Sequence, residues 1–432
     1  MPRPPLRPLP QQGEPLAPPS IALGFFGLAV LWLGAGGVGV VLVSDELARG
    51  NVLAPRVVAV THAFTLGLLT QAIFGALHQF LPAVTGSPIR HPRVAKGAPA
   101  LFTAGLGLLL AGLWVWRPSW QAAGWVVLFA AVGAGSLNTL PARRRATRNR
   151  YVGGFVSLSH SALGFAMVVA AIRIGEGLGW WQLDRAGLLS LHFHLGALGF
   201  GTLTATAFGS KMLPAFLGAQ VDDGRRIRAV AWSASLGLTA LALALVIRSE
   251  WIQWLSRIAM AISATTQLSL LVDYFRRRTP GRIDPGLGLV GIAIAGLATT
   301  ILAGGVVALA APTPGRWWAT YVFLAVVGWL GALILGVMHR VAPRIVVLWL
   351  AEARRSLSPE AHRAELLHAP LGWATAATAA LAIATTAIGI AAGVAPVIRM
   401  GGAAIVLTAA LAGLQAAHLA RSAVSVGTRR SH

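Results

Sequence analysis

The sequence contains no cysteine. Disulfides, thiolate metal sites, iron–sulfur clusters and thioether-linked haem are excluded with it. Acidic residues are scarce too: 13 Asp and Glu stand against 35 Lys and Arg in 432 residues, and charged residues make up only 11% of the chain. Soluble domains carry roughly 25% charge, so a water-soluble enzyme and a disordered chain are both ruled out. No P-loop, dinucleotide fingerprint or Ser–His–Asp order occurs. No carboxylate lies in the middle of an apolar run, Asp273 coming only near the end of one. The usual acidic relay of an ion-coupled pump or carrier is therefore missing.

What remains is apolar. Hydrophobic residues make up 56% of the chain, and from residue 20 they fall into twelve runs. The runs lie near 20–44, 57–83, 98–116, 119–138, 152–174, 187–217, 227–247, 252–275, 286–311, 317–348, 370–394 and 396–420. Each is long enough for a membrane helix of ~20 residues. The expected fold class is an all-α membrane protein of twelve transmembrane helices. A Pro-rich, disordered tail is expected at 1–19, the membrane domain at 20–421 and a basic tail at 422–432.

The net charge of +22 would suggest nucleic acid in a soluble chain. Here the arginines cluster in alternate connections, as in Arg143–Arg144–Arg145 and Arg276–Arg277–Arg278. That alternation is the positive-inside pattern. It places both termini on the cytoplasmic side of the inner membrane. The partner of this charge is the lipid bilayer and not nucleic acid.

Stacking the second, sixth and tenth runs reveals an internal repeat. Displacements of 132 and 261 residues align Gly67, Gly199 and Gly328, and also Pro82, Pro214 and Pro343. His62 falls on His194 and on Phe323; His78 falls on Ser210 and on His339. The unit is four helices used three times, over about 20–150, 151–282 and 283–421.

Histidine is then the main internal chemistry, because a ligating side chain inside a span is a functional candidate. His62 lies six residues beyond Arg56, roughly 9 Å into its helix. His194 lies at a similar depth in the sixth run. Two imidazoles at one depth on neighbouring helices are expected to hold one b-type haem. His192 sits ~200° around the helix from His194, so it faces a different neighbour and is a candidate for a second haem or a copper. Across-helix hydrogen bonding is the competing role for these residues. Arg257 and Arg399, on the outer side, are candidates to pair with haem propionates. His78, His160, His339 and His418 are secondary candidates for metal or proton-path roles, beside packed or interfacial ones.

The motif Thr61–His62–Ala63–Phe64, the stretch Pro82 to Arg93 and the His192–Phe193–His194 triplet resemble subunit I of the haem-copper oxidase superfamily. The resemblance extends to twelve helices in three quasi-repeats of four. It implies respiratory electron transfer or O2/NO chemistry, with a redox partner subunit or a small c-type cytochrome. The triplet stands on the sixth run, not on the tenth as in that family, and the seventh run has no histidine. A complete reducing centre is therefore not expected. The divergent nitric-oxide-response membrane proteins of haem and copper are similar in architecture. The competing function is a cofactor-free transporter or scaffold with the same fold, since Pro and Gly in corresponding places of repeated units can mark binding sites.

Overall fold

In the computed structural model, residues 17–182, 185–219, 223–279, 281, 283–310, 314–354 and 368–428 are described; they are helical almost throughout, and no strand occurs among them. The expected tail at 1–19 lies almost wholly outside the described residues, as does the end of the basic tail. Among the described residues twelve helices are long and apolar enough to cross a membrane: α1 (Pro19–Leu42), α2 (Pro55–Thr85), α3 (Pro92–Trp114), α4 (Pro118–Asn138), α5 (Arg150–Gly177), α6 (Gly187–Leu217), α7 (Gly224–Ile247), α8 (Glu250–Arg276), α9 (Pro285–Leu309), α10 (Gly315–Val346), α11 (Ala369–Ala392) and α12 (Ala395–Ser422). The protein is an all-helical, multi-pass membrane protein. The bounds follow the apolar runs within a few residues, except that α3 starts six residues early, at Pro92. Proline at the first helical position surrenders no hydrogen bond there, so the polar stretch before Pro99 joins the helix.

Burial separates the twelve into two classes. In the most apolar stretch of α2 and of α10, 72% of residues are buried, and in α6 50%; the others run from 28% to 44%. Thus α2, α6 and α10 are the inner helices, and the other nine surround them. His62, His78, His192, His194 and His339 all stand on these three, where a polar side chain can turn away from lipid.

Each inner helix is interrupted by an eight-residue π segment, at Ala63–Thr70, Leu195–Thr202 and Leu324–Gly331. The three touch one another in pairs. A π turn widens the helix and loosens its hydrogen bonding, and threonine repairs part of that. The Thr70 hydroxyl donates to the Thr65 carbonyl at 2.8 Å, five residues back, and Thr202 does the same to Ala197 at 3.0 Å. In the third segment the matching residue is Gly331, which can make no such bond.

Close packing against these segments demands glycine. A Cβ on Gly296 of α9 would overlap the carbonyl of Gly328 within the third π segment. Two of the inner helices end alike as well. Gly86 (φ +72°) and Gly218 (φ +63°) stop α2 and α6 in the left-handed conformation four residues after Pro82 and Pro214. The third copy has Val347 at that place, and its helix runs on to Arg354.

Candidate functional site

Directly before each π segment, the inner helices present a cluster of ring side chains. His62 and His194, the last α-helical residues of their elements, each turn Nδ1 back on the preceding turn. His62 Nδ1 meets the Val58 carbonyl at 2.8 Å, and His194 Nδ1 meets that of Ser190 at 2.8 Å. His192 Nδ1 reaches across to the Ala166 carbonyl of α5 at 2.9 Å. A carbonyl can only accept, so in all three neutral rings Nδ1 carries the proton and Nε2 offers its lone pair.

The structure brings His62 against His192, with ring centroids 6.0 Å apart and planes tilted by 31°. His194 turns to the third inner helix instead, where Tyr321 Oη donates to its Nε2 at 3.1 Å. Phe193 packs edge-on to Tyr321, centroids 5.5 Å apart, and closes that side. One cluster therefore spans α2, α6 and α10. It contains proton donors, proton acceptors and no charge.

Tyr321 was not among the expected site residues. The repeat could have found it: displaced by 261 residues it falls on Val60, and displaced by 132 more Val60 falls on His192. The first position of the His192–Phe193–His194 triplet thus carries a polar ring in two of the three copies.

Beyond the π segments lies a second layer. His78 Nδ1 meets the Phe74 carbonyl at 2.7 Å, His160 Nδ1 that of Val156 at 2.7 Å and His339 Nδ1 that of Leu335 at 2.9 Å. The Nε2 atoms of all three are buried without a hydrogen-bond partner. Phe74 separates two of these rings, its centroid lying 6.3 Å from His78 and 5.7 Å from His160. Gln71 and Gln79, on the same stretch of α2, each add a buried carbonyl oxygen without a partner.

The remaining candidates stand elsewhere. Arg399 is engaged with Asp45, Nη2 to Oδ2 at 2.7 Å, and with Ser44 Oγ at 2.8 Å. Arg257 donates to the Ala308 carbonyl at 3.2 Å and stacks on Trp254. His418 packs against His368, centroids 5.4 Å apart. Among the described residues no hydrogen bond, ion pair or ring contact links any of them with the imidazole cluster.

These contacts do not present the bis-imidazole site expected for a haem between His62 and His194. The Nε2 of His194 is occupied by Tyr321, and the ring facing His62 is His192. Among the described residues no group of three or more His, Cys, Asp or Glu is placed to hold a metal ion.

No family model matches the chain. Among curated proteins it is similar to NADH-quinone oxidoreductase subunit N of Rhodococcus opacus (strain B4), with 29% identity over 195 residues. The match takes in 44% of this chain and 32% of the relative, so the chain spans about a third of that protein's length. This corrects the resemblance to the haem-copper oxidases. The relative is named as a subunit of a different oxidoreductase, and among the described residues no metal-ligand group of the kind that the resemblance implied is assembled.

Proposed function

We propose that the protein is a cofactor-free membrane translocation component built on three four-helix repeats, through which a small protic species passes between the three inner helices. The observation that carries this reading is the His194–Tyr321 hydrogen bond. It joins two copies of the repeat at the mouth of the inner triad, in a cluster of uncharged groups that both donate and accept protons. Such groups pass a protic solute without the cost of a buried charge. The unpartnered Nε2 atoms of His78, His160 and His339 provide a second row of acceptors beyond the π segments. The threefold repeat is supported by the π segments themselves, whose first residues, 63, 195 and 324, are displaced by the same 132 and 261 residues as the aligned glycines.

The similarity to NADH-quinone oxidoreductase subunit N supports a place in a respiratory membrane assembly, with other membrane subunits as partners. The arginine-rich connections support a cytoplasmic-membrane location with both termini inside.

The test is reconstitution into vesicles that enclose a pH-sensitive dye, with an imposed potassium diffusion potential. The expected result is proton flux above that of empty vesicles, reduced in His194→Phe and in Tyr321→Phe. Flux equal to that of empty vesicles, or equal in both variants and the parent, overturns the reading.

One observation favours a second reading. Two imidazoles on opposite sides of one metal ion, each with a metal–nitrogen bond of about 2.0 Å, place their centroids about 6 Å apart; the His62 and His192 centroids are 6.0 Å apart. Their pinned Nδ1 protons match the arrangement usual behind ligating histidines. Copper is the candidate ion, since neither ring is accompanied by a carboxylate. Metal analysis of the purified protein, together with its reduced-minus-oxidised spectrum, separates the readings. Stoichiometric copper or haem bands that vanish in His62→Ala His192→Ala would replace the cofactor-free reading.

A further inference from the structure

A cleft of about 490 Å³ opens where α4 ends and the short helix Leu140–Arg144 begins. It is lined by Arg90, Leu137, Leu140, Pro141, Arg144 and Arg145. Three arginines thus line one cleft with no acidic residue in its lining. Arg90 comes from the connection before α3, and its backbone is fixed by a hydrogen bond of 2.9 Å from its N–H to the Asn138 carbonyl. Arg144 and Arg145 come from the connection after α4. Among the described residues none of the three forms a salt bridge.

The surroundings strengthen the positive field. Arg143 lies half-buried behind the cleft, where its Nη2 donates to the Ser136 carbonyl at 2.6 Å. Burial first, and the neighbouring charge of Arg144 second, push its guanidinium down to about 10. Asn138 Nδ2 and Arg143 Nε are buried donors without a partner in the same region. Like charges held together raise one another's energy, and an anion in the cleft relieves that repulsion.

The anion has an apolar part. Leu137 is 57% exposed beside the three arginines and continues the lipid-facing side of α4, while Leu140 and Pro141 complete the wall. A free oxyanion gains nothing from those groups, whereas an acyl chain does. Phosphate oxygens match the guanidinium fork bidentately, which a bare counterion does not, and a phospholipid carries that group next to its acyl chains. The arginines come from two connections, Arg90 from the one before α3 and Arg144 and Arg145 from the one after α4, which suits two phosphates. We propose that this cleft binds the headgroup of a two-phosphate anionic phospholipid, with Arg90 on one phosphate, Arg144 and Arg145 on the other, and an acyl chain along Leu137.

The test is native mass spectrometry and thermal stability of the full chain in phosphatidylcholine nanodiscs doped with cardiolipin, with phosphatidylglycerol at equal charge, or with no anionic lipid. Near a surface each arginine contributes about 1 kcal/mol to anionic-lipid binding, so losing three weakens it by about a hundredfold. The expected result is a cardiolipin adduct and a raised melting point in the parent, both lost in the triple variant Arg90→Gln, Arg144→Gln and Arg145→Gln. A charge-matched control, Arg225→Gln, Arg228→Gln and Arg278→Gln, keeps both. Equal melting points in pure phosphatidylcholine show that the two variants fold alike. Three outcomes overturn the proposal: no preference for cardiolipin over phosphatidylglycerol, equal loss in the control, or displacement of the lipid by millimolar inorganic phosphate.

Discussion

Replacing Tyr321 with phenylalanine removes one oxygen atom from the ring cluster of the inner helices. The ring stays, and with it the edge-on packing against Phe193 at 5.5 Å. What disappears is the donor to His194 Nε2 at 3.1 Å. His194 is only 8% exposed, so water replaces that donor poorly. A buried acceptor left alone costs about 1–3 kcal/mol in soluble proteins, whereas side-chain hydrogen bonds between membrane helices average about 0.6 and reach about 1.7 kcal/mol. The membrane figures apply here, because the bond links α6 to α10. The expected loss is about 1 kcal/mol, near the middle of that range. The assay is reversible unfolding in mixed micelles for the parent, Tyr321→Phe, His194→Phe and the double variant. A coupling energy of about 0.6–1.7 kcal/mol is expected. If the single effects add to within about 0.3 kcal/mol, as independent sites do, the two side chains are not bonded and the cluster described above does not exist. Flux through Tyr321→Phe then decides function separately from stability.

Three further outcomes follow from the packing. Gly296→Ala drives a methyl group into the Gly328 carbonyl and is expected to cost about 1–3 kcal/mol as an overpacked site, read as a lowered unfolding midpoint. Thr202→Val removes both the bond to the Ala197 carbonyl and the acceptor of Trp329 Nε1 at 3.3 Å, with an expected loss of about 1–2 kcal/mol; no change would show that the π segment needs no hydroxyl. Arg399→Gln breaks the pair with Asp45, but both side chains are about half exposed, so a change within about 1 kcal/mol is expected; a larger drop in melting point would mean that the pair is shielded from solvent.

Much of the architecture is legible in the sequence because bilayer thickness sets a length scale that apolar runs must meet. The twelve spans follow, and so do the inner helices, since α2, α6 and α10 carry most of the histidines that lie within spans. Proline marks helix starts at Pro55, Pro92, Pro118 and Pro285 because its ring fits the first turn. The site is less legible. Expecting His62 to face His194 assumes that equal depth means facing rings. Which of His192 and His194 turns to α2 depends on how α6 is rotated in the bundle, and apolar residues all round a helix leave that rotation undetermined. The π segments leave no compositional mark either, because Gly, Leu and Thr fill them as they fill ordinary membrane helices. Tyr321 is hard to see because the repeat shows itself in glycines and prolines, and a tyrosine opposite a histidine and a valine carries no such mark.

The widened turns also bear on the history of the chain. A π turn of this kind arises when a helix gains a residue while its ends stay fixed. In each inner helix twenty residues separate the aligned positions on either side of the segment: His62 and Pro82, His194 and Pro214, Phe323 and Pro343. On the threefold reading, the gain precedes the duplications, and nothing has been inserted or deleted across it in any copy since. The rings beside it have not been held so fixed: one copy has phenylalanine where the other two have histidine, and another has valine where its counterparts have histidine and tyrosine. On that reading the backbone distortion is common to all three copies, and the chemistry hung on it is the part that differs between them.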